Sequence, residues 1–320
     1  MVKLGITREC ELSNTKDFLN RNKEISIPLI ASLIKERQFS ESVYPYFNMI
    51  RIGNTFKRTK DDRFGDLDDL SAEVIASTFS KDQTLVVHDL ASSNGTTSCH
   101  FYDKLKGKGL KVQFYSSDKF THVFMVTLKD SAWTVVMDTD RNLMQYVGYG
   151  FVLGRDESGI DLVNRAITAL LDKCLYPKAR AVLSRNVSDD NEFGGLVLDD
   201  AHGRMERFPL VSRECMEKTT HTDDFVYFRR DLFESFTCKN DVVRALNILN
   251  REYFSDGQLK TAVSNILSSL SENGIFIMGR SHDSEDKEHN VTIFRRNGLK
   301  FSVLCDYMRG SEIRELVLSL

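Results

Sequence analysis

A chain of 320 residues with 41% hydrophobic and 28% charged side chains is long enough for one elaborated domain or two smaller ones. Its 43 basic and 46 acidic residues leave a net charge of −3, which excludes recruitment by bulk charge to nucleic acid or to an anionic membrane surface. No window reaches the roughly 20 apolar residues that cross a bilayer, because Ser26, Pro28 and Ser32 interrupt the nearest one, Ile25 to Ile34.

Met1 to Cys10 lacks an apolar core of signal-peptide length. The six cysteines, Cys10, Cys99, Cys174, Cys215, Cys238 and Cys305, are scattered, with no CxxC pair and no histidine at metal spacing. They read as reduced thiols of a cytoplasmic protein without a metal site.

Residues 1–80 are expected to form a helical N-terminal region. Lys16–Leu19, Leu29–Ile34 and Leu70–Phe79 carry helical spacing. The charged connector Arg51–Asp69, with Arg51, Lys57, Arg58, Lys60 and Arg63, is a solvated surface or a lid. From Leu85 the pattern turns to strand and helix: a strand Leu85–His88, a helix Thr97–Leu105, and a second strand Leu110–Tyr115 ending in Ser116-Ser117-Asp118. A β-hairpin is expected over His122–Leu128 and Trp133–Met137, followed by the aromatic segment Tyr146–Gly154 and a helix over Asp161–Leu175. Residues 119 to about 205 thus interrupt the α/β alternation as a long insertion of the kind that more often serves function than decoration. Strands are expected again at Asp224–Phe228, Asp241–Leu249 and Ile275–Met278. The helix between the last two, Gln258–Leu270, should stop at Asn273-Gly274. Val291–Phe294, Phe301–Leu304 and Ile313–Leu318 read as a β-rich tail of antiparallel strands.

The most informative stretch is Leu85–Ser98, where a β-branched run ends in Asp89 and is followed by Leu-Ala-Ser-Ser-Asn-Gly95 and a polar helix start. Small residues let backbone approach a ligand, and a helix start offers free N–H donors, as nucleotide-type cofactor sites require. Asp89 could receive cofactor hydroxyl or amine donors, or the N–H groups of the loop. A dinucleotide site would ask for three glycines at GxGxxG spacing, and this loop has one.

Taken together, these motifs resemble class I S-adenosylmethionine-dependent methyltransferases over residues 84–118 and 223–320. Asp89–Gly95 is similar to their first motif, with Ala91 and Ser93 as departures. Tyr115–Asp118 is similar to the strand-two acid that holds ribose hydroxyls, and Phe228–Leu232 to the segment whose acid, here Asp231, reads the adenine amine. Asp241–Leu249 resembles their fourth-strand motif and Leu267–Met278 their fifth. Arg244 through Tyr253 to Gly279 is locally similar to chemotaxis-receptor glutamate methyltransferases.

The resemblance implies a Rossmann-like α/β sheet with an antiparallel last strand, in a domain spanning 81–320. It implies S-adenosyl-L-methionine held by Asp89, Ala91, Ser93, Asn94, Gly95, Asp118, Asp231, Leu232 and Asn247. The expected partner is a small-molecule or protein methyl acceptor, with neither nucleic acid nor membrane, and a homodimer stays open. Methyl transfer asks the protein mainly for alignment. No acid–base pair stands out, and the catalytic candidates are Asn247 and His282, with His221 and Arg280 as further substrate contacts. Tyr146, Tyr149 and Phe151, with Gly148 and Gly150, are core of the insertion or an apolar flap. A non-catalytic module on the same fold is the alternative reading.

Overall fold

The computed structural model describes residues 25–40, 42–52, 55–57, 59–60, 63–149, 151–154, 162–186, 195–281 and 289–320. The expected helix at Lys16–Leu19, Arg58, Gly150 and His282 lie outside them. Elements are numbered along the whole chain. The described residues divide into two compact units, one formed by those up to Lys57 with Phe120–Val211, the other by Thr59–Lys119 with Ser212–Leu320. Packing therefore does not divide at residue 80: the first helices join the insertion, and residues 59–80 join the parallel sheet.

The first unit is built on a six-stranded antiparallel sheet in the order β8-β7-β6-β5-β10-β9. Its strands are β5 (His122–Leu128), β6 (Trp133–Met137), β7 (Leu143–Gly148), β8 (Phe151–Gly154), β9 (Leu196–Asp199) and β10 (Gly203–Pro209). Helix α1 (Ile27–Arg37) starts where the Ser26 hydroxyl caps Leu29 N–H and Pro28 fits the first turn. Its buried Ile27, Ile30, Leu33 and Ile34 pack with Phe47 of the short α2 (Tyr44–Phe47) and with Val123, Val136 and Phe208 of the sheet. The remaining elements are the two-residue pair β1 (Arg51–Ile52) and β2 (Thr55–Phe56), and the helices α5 (Leu162–Cys174) and α6 (Tyr176–Asn186). Of the aromatic segment, Tyr146 is core and bonds Asp172 (2.6 Å), whereas Tyr149 and Phe151 are exposed.

The second unit holds a seven-stranded sheet in the order β11-β4-β3-β12-β13-β14-β15. Its strands are β3 (Thr84–Leu90), β4 (Lys111–Asp118), β11 (Phe225–Arg229), β12 (Asn240–Leu246), β13 (Leu270–Ser281), β14 (His289–Asn297) and β15 (Lys300–Tyr307). The first five pair in parallel. β14 runs antiparallel to β13, and β15 antiparallel to β14. This is a Rossmann-like sheet of five parallel strands with a two-stranded extension at one edge. The antiparallel strand expected at its end is present as the penultimate strand of the chain, and β15 closes the edge beyond it.

Helices α3 (Gly65–Thr78), α4 (Thr96–Gly107), α7 (Arg213–His221), α8 (Asp256–Ser269) and α9 (Arg314–Leu318) complete the unit. Leu259, Val263 and Ile266 of α8 cover Val243, Ala245, Phe276 and Met278, with Phe301, Ile313 and Val317 finishing that cluster. Toward α4, Phe114 stacks on Phe225 at 5.3 Å, with Phe101 and Tyr102 edge-on.

Two expected elements differ. Ile313–Leu318 is mostly the helix α9, because Ile313, Leu316 and Val317 recur at helical spacing and seat on α8 and the sheet. The helix before β13 ends at Ser269 rather than at Asn273-Gly274. Leu270 is already extended, and the Ser255–Gln258 capping box sets the other end. Asn273 takes a left-handed turn (φ 62°) inside the strand that follows.

Candidate cofactor site

From β3 the chain crosses to β4, and from β12 it crosses the other way to β13, so strand order reverses between β3 and β12. In open α/β sheets the crevice outside the carboxyl ends of the strands at such a point takes the ligand. The loop 91–95 leaves β3 there. Ala91, Ser93 and Gly95 all have left-handed backbones, with φ of 54°, 59° and 83°. Non-glycine residues in that region cost on the order of 1–3 kcal/mol and persist only where surroundings over-determine them.

The surroundings here are the ends of β4 and β11. Ser92 donates its N–H and its hydroxyl to the Ser117 carbonyl (3.0 and 3.1 Å). Ser93 donates its N–H to Asp118 Oδ2 (2.8 Å), and the Tyr227 hydroxyl donates to the Ser93 carbonyl (2.8 Å). Asn94 is fully buried: its Oδ1 accepts from Thr96 N–H and the Thr59 hydroxyl, and its carbonyl from Ser212 N–H. Its Nδ2 has no partner among the described residues. At Gly95 a Cβ would lie 2.3 Å from Cys215 Sγ, so this glycine is required both by its φ and by the close packing of α7.

Beneath the loop lies a buried ion cluster. Arg244 of β12 donates Nε and Nη2 to the two oxygens of Asp89 (2.9 and 2.6 Å), Nη1 to Asp68 of α3 (2.5 Å), and Nη2 also to the Thr97 carbonyl. Its guanidinium stands 4.1 Å from the Phe101 ring centre. Ser98 donates to Asp89, and Ser116 reaches both Ser98 and Ser92, so hydrogen bonds run from Arg244 to the loop. Asp89 therefore holds the strand and helix under the loop, through Arg244 and Ser98. Burial pushes the Asp68 carboxyl up to about 7 against the pull of Arg244.

Asp118, at the end of β4, is nearly buried and fastens Ser93. Asp231 follows β11, accepts Phe233 N–H (3.0 Å) and pairs with Lys119 (2.7 Å), while Leu232 packs at the edge of the α8 cluster. Asn247, with φ 61°, follows β12, and its Oδ1 accepts Ser281 N–H (2.6 Å). The structure thus gathers Ala91, Ser93, Asn94, Gly95, Asp118, Asp231 and Asn247 along one edge of the sheet, with Asp89 one layer below. Two of the further candidates are engaged elsewhere. Arg280 is ion-paired with Glu252, and exposed His221 faces the Glu217 carbonyl.

Sequence reasoning passed over three features. His88 is buried among Tyr115, Phe228 and Phe236, and burial followed by the charge of Arg230 pushes its pKa down to about 3, leaving a neutral imidazole. Arg230 is buried over the Phe236 ring at 4.1 Å. Ser281 and His289 form a hydrogen-bonded pair at the ends of β13 and β14. Only the alternation of side chains along β3, which sends His88 and Asp89 to opposite faces, hinted at the first. Among the described residues no cluster of His, Cys, Asp and Glu suits a metal ion, and no helix is long and apolar enough to cross a membrane.

No family model and no curated protein matches the chain. Solved structures with similar backbones include the magnesium protoporphyrin IX methyltransferase of Synechocystis PCC 6803, solved with SAH bound. It shares 11% identity over 70% of this chain and 58% of that one, with a TM-score of 0.30. An amino pentose methyltransferase of calicheamicin biosynthesis from Micromonospora echinaspora shares 9% identity over 76% and 67%, with a TM-score of 0.32. The mitomycin 7-O-methyltransferase shares 9% over 86% and 50%, with a TM-score of 0.30. The chain spans about half to two thirds of the length of these structures.

Proposed function

We propose that this chain is an S-adenosylmethionine-dependent methyltransferase acting on a small-molecule or protein acceptor. The observation that carries the reading is the strand order, which sets the left-handed loop 91–95, Asp118, Asp231 and Asn247 along one edge at the topological switch point. The residues suit the cofactor chemically. Carboxylates at the ends of neighbouring strands match ribose hydroxyls and an adenine amine, and Asn94 Nδ2 is a buried donor without a partner among the described residues. Asp118, Asp231, Leu232, Asn247 and the backbone of residues 91–95 would hold it. The bound cofactor would supply an activated methyl group. Asp89 acts from beneath, by fixing the loop through Arg244 and Ser98.

The local resemblance of Arg244–Gly279 to chemotaxis-receptor glutamate methyltransferases puts a protein carboxylate among the acceptors to try. Calorimetric titration with S-adenosylmethionine and S-adenosylhomocysteine tests the reading. Binding to the wild type that is lost in Asp118→Ala supports it. A folded protein that binds neither at millimolar concentration refutes it and favours a non-catalytic module.

A further inference from the structure

The edge that carries the cofactor loop also carries a serine–histidine pair. Ser281 Oγ lies 2.9 Å from His289 Nδ1, and these two residues are cross-strand neighbours at the ends of β13 and β14. Asn247 holds the serine from the other side. Its Oδ1 accepts Ser281 N–H (2.6 Å), and its Nδ2 donates to Ser281 Oγ (3.4 Å). Asn247 is itself set in a left-handed turn, with its N–H on the Gly279 carbonyl (2.8 Å). The His289 ring is almost buried and stands edge-on to Phe64, 5.5 Å between centres. β12 lies next to β3, with Ala245 opposite Leu90, so the turns that begin at Asn247 and Ala91 leave the same edge of the sheet.

A hydroxyl within hydrogen-bond reach of an imidazole, with a third group orienting it, is the arrangement through which proteins move a proton off a weak acid. We propose that Asn247, Ser281 and His289 form the acceptor end of the site and that the acceptor is a hydroxyl compound. This rests on the methyltransferase reading and narrows its acceptor class, since a carboxylate arrives deprotonated and needs no base. The acceptor hydroxyl gives its proton to Ser281 Oγ while the Ser281 proton passes to His289 Nδ1. The acceptor oxygen bonds the methyl carbon, the carbon–sulfur bond breaks with its electron pair left on sulfur, and the imidazolium returns its proton to water. Ser281 is the contact group, and Asn247 and His289 are positioning residues acting through it. The relay requires a neutral His289 with Nδ1 bare and the proton on Nε2.

Nitrogen NMR of the imidazoles between pH 5 and 9, assigned through His289→Gln, tests this on the whole chain with and without S-adenosylhomocysteine. Calorimetry on the same samples reports whether that ligand is bound. The expected result is a neutral His289 with bare Nδ1 and its proton on Nε2. The Nδ1 resonance should move in Ser281→Ala and on ligand binding, while exposed His221 stays put. A proton on Nδ1, or a His289 resonance indifferent to bound ligand, overturns the relay alone. Absence of binding in calorimetry overturns the methyltransferase reading, and the relay with it.

Discussion

Replacing Asp68 by asparagine should flatten the acid side of the stability profile of the parallel-sheet unit. Asp68, Asp89 and Arg244 are each at most 3% exposed, so two carboxylates share one guanidinium and the ionised cluster carries a net charge of −1. Burial raises the Asp68 carboxyl from 3.8 to about 7. A raised carboxyl binds its proton more tightly in the folded state, so its contribution is fully present below pH 4. It is lost as the pH rises through about 7. At about 1.4 kcal/mol per pH unit over roughly three units, the loss amounts to about 4 kcal/mol. The amide introduced by Asp68→Asn cannot ionise and still offers its oxygen to Arg244 Nη1, at a cost of about 1 kcal/mol for exchanging one hydrogen bond for a weaker one. Urea denaturation from pH 4 to pH 8 should therefore find Asp68→Asn slightly less stable than wild type at pH 4 and more stable at pH 8, with the curves crossing between. Taking the difference between the two proteins removes the other carboxylates, including Asp138, whose pKa burial also raises. Parallel profiles would refute the reasoning.

Arg244→Met leaves both carboxylates buried without their cation and should lose about 3–5 kcal/mol. Adding Asp68→Asn and Asp89→Asn to it should recover part of that loss in the same urea assay. Gly95→Ala should destabilise by about 1–3 kcal/mol, since it strains a φ of 83° and drives a methyl group into Cys215. Cys215→Ala in that background should recover only part of the steric loss, because the Cβ of residue 215 itself lies 2.9 Å from the added methyl group, and should leave the backbone part, as read from the thermal midpoints. Tyr227→Phe removes the bond to the Ser93 carbonyl and should cost about 1 kcal/mol, with a further loss of S-adenosylhomocysteine affinity in calorimetry because the loop is less firmly held. Thiol labelling should find Cys99 inert between pH 7 and 9, because its hydrogen bond with Cys215 and its burial push that thiol far above its ordinary range.

Much of the parallel sheet was legible along the chain because its signals are local. Leu85–Leu90 is a β-branched run, Gln258–Leu270 carries helical apolar spacing, and Lys111–Asp118 ends in small polar residues. Each reports a backbone preference settled within a few neighbours. The motif order along the sequence likewise foreshadowed the strands that meet at the switch point. Ile313–Leu318 misled because six residues satisfy a strand and a helix equally until a surface is chosen, and α8 and the sheet chose the helix.

What only the tertiary structure decided is which side chains meet. Asp89 looked like a ligand contact, but the parallel register of β3 and β12 sets Arg244 directly opposite it, 155 residues on. The Gly95–Cys215 contact, the Ser281–His289 pair and the union of α1 with the inserted strands are of the same kind. Composition and motif order determined the fold class and the class of ligand to look for, because hydrophobic period and turn chemistry act over a few residues. Charge pairing and close packing act through space, so the roles of individual site residues were settled by strand register.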